Sequence, residues 1–198
     1  MFDFIQNIDI SIIEKIYRFQ HNLNSELFNK IMIFFTILGD NGMIWIAVTL
    51  ILFLNRKYRK IGVFSIISLI ICALLVNVIL KPLIHRPRPF SELADIVLLI
   101  KAPKDYSFPS GHTAASFVMV YIFFRHIKKF FIPVFITGIL ITFSRMYLSV
   151  HFPSDIIAGI IIGIFSGSIS IVADAFNNLS DMASCIVTII GFKMASKP

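Results

Sequence analysis

The apolar positions of this chain fall in long unbroken runs, not in the alternation of a strand or the single stripe of a surface helix. Residues 61–80 (IGVFSIISLIICALLVNVIL) carry Asn77 as their one strongly polar side chain, and a run of that length makes roughly 30 Å of helix, enough to cross a hydrocarbon core. Residues 31–54 are also apolar, but Gly39, Asp40, Asn41 and Gly42 interrupt them. They form either a broken span or a short surface helix followed by a short span. Further apolar segments cover 113–124, 130–144 and 156–173, the first two short enough to extend into their flanks. The pattern predicts an all-α, polytopic transmembrane bundle of five or six helices, preceded by an interfacial helical segment over residues 1–30.

Composition agrees with that reading. Of 198 residues, 57% are apolar and 15% charged, with 21 Phe and a mean hydropathy of +0.86. A soluble domain runs roughly 45–50% apolar and about 25% charged, so a disordered chain or a water-soluble globule is excluded. Cys72 and Cys185 each sit inside an apolar run and read as small buried hydrophobes rather than a disulfide or metal site. Asp3 and Asp9 interrupt the N-terminal segment, so no cleavable signal peptide is expected.

The net charge of +7 gains meaning only from its placement. Arg56, Lys57, Arg59 and Lys60 form one cluster, and Arg125, Lys128 and Lys129 another, each in a short gap between apolar runs. That is the pattern of cytoplasmic loops, and no basic face or tail suited to nucleic acid is present. With both clusters cytoplasmic, residues 81–111 and 145–155 lie on the opposite side of the membrane, joined there by the 39–42 turn if those residues break a span. These segments hold nearly all the polar chemistry that loop charge does not explain.

Three motifs fall there. KPLIHRPRP presents Lys81, His85, Arg86 and Arg88 from a backbone stiffened by Pro82, Pro87 and Pro89. Taken alone, these cations are either an anion site or a lipid-headgroup anchor. PSGHT precedes an apolar run, so Ser110 can cap a helix, Gly111 lets a backbone N–H approach a ligand, and His112 stands beside an anion at the helix end. An ordinary N-cap followed by an interfacial histidine has the same pattern. In SRMYLSVHFPSD, Asp155 follows His151 by four residues, where it can fix the imidazole tautomer for nucleophilic or basic work, or where both simply cap the next helix.

Combination separates these readings. Two histidines, several cations, a helix N-terminus and a carboxylate all fall on one side, and a phosphoryl-transfer site needs those parts. His112 and His151 lack carboxylates or thiolates at metal-binding spacing, so no metal and no other cofactor is expected.

The three motifs together resemble the signature of the type-2 phosphatidic acid phosphatase and vanadium haloperoxidase superfamily: Lys, then Arg-Pro after six residues; Pro-Ser-Gly-His; and Ser-Arg, His after five, Asp after three. Here these are Lys81 with Arg88 and Pro89, Pro109 to His112, and Ser144, Arg145, His151 and Asp155. The resemblance covers about residues 30–166 and implies roles. His151 is the nucleophile, oriented by Asp155. His112 protonates the leaving oxygen and then helps activate water. Lys81, Arg88, Ser110, the Gly111 N–H and Arg145 hold phosphate oxygens, and His85 and Arg86 fall outside the signature. Membrane members of the family act on lipid phosphates, with the site extracytoplasmic and the tail in the bilayer. The size is similar to undecaprenyl-diphosphate phosphatases, with phosphatidylglycerophosphate and phosphatidate as the nearest competing substrates.

The chain is expected to divide into the 1–30 segment, a phosphatase domain over 31–166, and an atypical tail over 167–198. Gly159, Gly163 and Gly167 make a small-residue stripe for close packing of a last span. The tail resembles a transmembrane helix of cation diffusion facilitators, with Asn177 and Asp181 at i, i+4 as paired metal ligands. A transporter needs further ligands from another helix, so a fused or truncated fragment is expected ahead of a cation transporter. A helix running unbroken from Ser154 to Phe192 would far exceed the bilayer core, which predicts a break near Asn177 and Asn178.

Overall fold

The computed structural model describes residues 2–169, all of whose regular elements are helical. The readings made for Asn177, Asp181, Cys185 and the break near Asn178 lie outside the described residues. Helix α1 (Phe2–Leu23) is followed by α2 (Glu26–Gly39), where the Ser25 hydroxyl accepts from the Phe28 N–H at 3.3 Å. A 3-10 turn, Asp40–Gly42, then leads into α3 (Met43–Leu54). Asn41 (φ 51°) and Gly42 (φ 68°) both adopt left-handed backbone there, a conformation that Asn and Gly enter at least cost. The break that the sequence left open is therefore a kink between two helices of one run, and it brings Asp40 to His112.

Helix α4 (Arg59–Ala73) continues through a π-helical stretch, Leu74–Leu80, into the single turn α5 (Lys81–Ile84). His85, at φ 52°, ends that turn. Pro89 opens the short α6 (Pro89–Glu92), and a long loop leads to α7 (Gly111–His126), capped by the Ser110 hydroxyl on the Thr113 N–H at 3.4 Å. Helix α8 (Phe131–Tyr147) and the apolar α9 (Pro153–Ile169) complete the described chain. Three helical runs, Glu26–Leu54, Arg59–Glu92 and Lys128–Tyr147, are long and apolar enough to cross a membrane.

Helix α7 is the central strut: it packs against α8, α4 and α3, and most of its side chains are buried. Trp45 of α3 donates its indole N–H to Ser116 of α7 at 3.0 Å, within a core that includes Cys72, Val76, Val118, Met119, Ile122 and Ile141. The glycine stripe of α9 faces α7 directly. A Cβ on Gly163 would stand 2.4 Å from the Ala114 carbonyl oxygen, and one on Gly159 2.8 Å from that of Ser110. Leu50, Leu54, Ile70, Val78, Ile132 and Phe165 are exposed around the outside, which is the inside-out surface that a lipid solvent permits. Both basic clusters occupy the ends of α3, α4, α7 and α8 remote from Lys81, Gly111 and Arg145.

Candidate active site

The three motifs and the Asp40 turn meet around one cavity of about 480 Å³, lined by Lys81, Arg88, His112, Arg145, His151 and Asp105 among others. Its cations come from three elements. The π-helical stretch delivers Lys81 at the end of α4, the extended backbone before α6 delivers Arg88, and the last turn of α8 delivers Arg145; all three are buried. Lys81 donates to Asp105. Arg88 spreads its donors over the Asp105 carboxylate and carbonyl, each at 2.8 Å, and the Val150 carbonyl at 2.6 Å. Arg145 donates to the Thr36 hydroxyl, while its buried Nε meets no partner among the described residues.

His151 is fully buried, and Arg88 Nη1 lies 3.3 Å from its Nε2. A guanidinium can only donate, so Nε2 faces it with a lone pair and the ring proton sits on Nδ1. Nδ1 lies 3.5 Å from Asp155 Oδ2, longer than a normal N–H···O hydrogen bond. Burial, and then the charges of Arg88, Arg145 and Lys81, hold the His151 pKa well below the ordinary histidine value, so the ring is neutral. Asp155, itself fully buried, is fixed by the Ser107 hydroxyl, the Phe152 N–H at 2.8 Å and Arg86 at 2.7 Å.

On the other side of the cavity, His112 Nε2 pairs with Asp40 Oδ1 at 2.9 Å. Gly39 lies directly behind that ring, where a Cβ would come within 2.8 Å of His112 Cδ2. Burial opposes ionisation of Asp105, but the hydrogen bonds and charges of Lys81 and Arg88 outweigh it and keep this loop carboxyl well below the usual carboxylate range. Five of the eight residues singled out in the sequence thus line one cavity, and Asp155 stands behind His151. Ser110 and Gly111 do not line it. The Ser110 hydroxyl is engaged with Thr113, and Gly111 borders a second cavity of about 490 Å³. That second cavity is mostly apolar, walled by Ile46, Leu50, Ile66, Leu69 and Ile70, and it reaches Lys81 and His112.

Sequence reasoning missed Asp40 and Asp105 as partners of the site and left Arg86 without a role. Asp40 did carry a signal, as a carboxylate inside an otherwise apolar run. Asp105 lies in a polar loop and carried none. Among the described residues, no group of three or more His, Cys, Asp or Glu is placed to hold a metal ion.

A polytopic helical bundle in which two histidines, His112 and the buried His151, face a cation-lined cavity falls in the class of membrane phosphatases. The chain belongs to the PAP2 superfamily, whose sequence model matches residues 62–178. It is 34% identical over 144 residues to an undecaprenyl-diphosphatase of Sulfolobus acidocaldarius, covering 72% of this chain and 69% of that protein. Undecaprenyl-diphosphatase BcrC of Bacillus subtilis is 28% identical over 93% of this chain and 96% of its own length. The crystal structure of LpxE from Aquifex aeolicus superposes with a TM-score of 0.68 at 31% identity, over 79% of this chain and 93% of that one.

Proposed function

We propose that this enzyme hydrolyses undecaprenyl diphosphate to undecaprenyl phosphate and inorganic phosphate through a phosphohistidine intermediate at His151. The observation that carries the reading is the placement of buried His151, its Nε2 3.3 Å from Arg88 Nη1, with Lys81 and Arg145 on the same cavity. The names of two relatives support the substrate. The apolar cavity adjoining Lys81 and His112 suits a substrate whose phosphates sit among cations while its chain stays in hydrocarbon.

Nε2 of His151 attacks the terminal phosphorus in line with the bridging oxygen, and a P–N bond forms as the P–O bond breaks. Lys81, Arg88 and Arg145, which line the cavity, neutralise the equatorial oxygens. The Nδ1–H tightens onto Asp155 as positive charge grows on the ring. His112 gives a proton to the departing lipid phosphate, then takes one from the water that cleaves the P–N bond and releases phosphate. No step needs a metal. The basic loops at the far ends of α4 and α7 support a reading in which the cavity opens at the extracytoplasmic face of the cell membrane.

Purified enzyme in detergent, with chelator present, is expected to release phosphate from undecaprenyl diphosphate faster than from phosphatidate or phosphatidylglycerophosphate. His151→Ala is expected to release none and to form no acid-labile phosphoenzyme. Activity in that variant, or loss of wild-type activity to the chelator, overturns the mechanism, and a preference for another lipid overturns the substrate.

A further inference from the structure

We propose that Arg86 and Asp9 are positioning residues, through which the N-terminal helix α1 sets the geometry of the nucleophile by way of Asp155. The inference rests on the reading of His151 as that nucleophile.

Arg86 and Arg88 stand two residues apart but serve different sides of the site. Arg88 reaches the cavity, whereas Arg86 lies behind Asp155, its guanidinium 4.2 Å from the centre of the Phe152 ring. One edge of the Arg86 fork holds Asp155 Oδ1 and the Ser154 hydroxyl, each at 2.7 Å. The other edge holds Asp9 Oδ2 at 2.7 Å and Gln6 Oε1 at 2.5 Å, both on α1. Asp9 completes the latch by accepting from the Ser154 N–H at 3.0 Å and from its hydroxyl, at the start of α9.

Each carboxylate oxygen of Asp155 has a separate task. Oδ1 is taken by Arg86, and Oδ2 receives Ser107 and Phe152 and faces His151 Nδ1. The bond to Oδ1 therefore decides how the carboxylate is tilted, and so where Oδ2 meets the ring. Asp9 is buried with 2% of its surface exposed, and a buried carboxylate persists only where charge and hydrogen bonds compensate it. A helix needing only to rest against the bundle does so more cheaply through apolar side chains, as α1 does at the fully buried Ile13. The buried ion pair is instead aimed at the residue behind the nucleophile.

The test uses the full chain in detergent micelles with undecaprenyl diphosphate, comparing wild type with Arg86→Gln, Arg86→Lys, Asp9→Asn and His151→Ala. A small misplacement of a reacting group costs up to about 100-fold in rate, so kcat is expected to fall about 100-fold in Arg86→Gln and about 10-fold in Asp9→Asn, with KM within about twofold. Arg86→Lys, which keeps the charge, is expected to recover part of the loss. In an Asp155→Asn background, Arg86→Gln is expected to cost less than about threefold further, because both act through one carboxylate. Wild-type kcat in Arg86→Gln, a rise in KM with kcat intact, or losses that multiply in the double variant overturn the proposal. Should Arg86→Gln fail to melt as a folded protein, the near-isosteric Asp9→Asn decides by the same split of kcat against KM. Activity surviving in His151→Ala overturns the nucleophile assignment instead.

Discussion

His151 carries its charge state as a consequence of burial. With its folded pKa held below the unfolded value of about 6.5, the native protein binds fewer protons than the unfolded chain once the pH drops under that value. Stability from this residue is therefore complete above pH 6.5 and is lost as the pH falls, with a slope approaching 1.4 kcal/mol per unit, about one proton. Melting in detergent is expected to drop between pH 7 and 5, and His151→Gln to flatten that drop. A second residue-scale expectation concerns Gly39, whose added Cβ would press on both His112 Cδ2 and Ile141 Cγ2 at 2.8 Å. Gly39→Ala is expected to lower kcat about tenfold by tilting His112, read as initial rate at saturating substrate. The histidines and clamp cations were legible because fixed spacing links them within single turns and loops. Asp40, Asp9 and Asp105 reach their partners across 72, 77 and 24 residues of chain, to His112, Arg86 and Lys81, and no local pattern announces such pairings.

At the scale of elements, apolar run length gave the spans because a lipid-exposed helix must be apolar around most of its circumference. The apolar run 113–124 extends into its flanks as its shortness predicts, and helix α7 covers Gly111–His126. Packed by protein on most sides, it can carry Ser110, His112, Ser116, Arg125 and His126 at or near its ends and within it. The π-helical stretch before Lys81 left no trace in the run 61–80, since an extra residue per turn changes register and not composition. The glycine stripe was readable, and its energetic role can be measured. Gly163→Val must push α9 off the Ala114 carbonyl and the Phe117 Cβ, which lie 2.4 and 2.9 Å from the position of the first added carbon. A loss of about 1–3 kcal/mol is expected from such overpacking, seen as a lower melting temperature in detergent. Activity should fall with it, because α7 carries His112, which lines the cavity, in its first turn.

For the whole molecule, the positions of charge matter more than their sum. The basic loops lie at one end of the bundle, and the other end sets carboxylates against its cations: Lys81 and Arg88 are balanced by Asp105, and Arg86 by Asp9 and Asp155. Asp105 supplies much of that balance, since both Lys81 and Arg88 bond to it. Asp105→Asn is expected to tighten inhibition by inorganic phosphate about tenfold, the worth of one charge-assisted hydrogen bond, measured as a Ki at fixed substrate. It is also expected to create inhibition by vesicles of anionic diester phospholipid that the wild type resists.

The cavity acts as an ion exchanger loaded with its own carboxylate, the Asp105 side chain held by Lys81 and Arg88. The lipids crowding its entrance are mostly phosphodiesters bearing a single negative charge on phosphorus, no more than Asp105 itself offers, so they gain little by replacing it. A terminal phosphate monoester brings close to two charges and three oxygens, and displaces the resident anion. Selection of a terminal phosphate over a phosphodiester is then built into the pairing of Lys81 and Arg88 with Asp105, before any contact with a hydrocarbon chain.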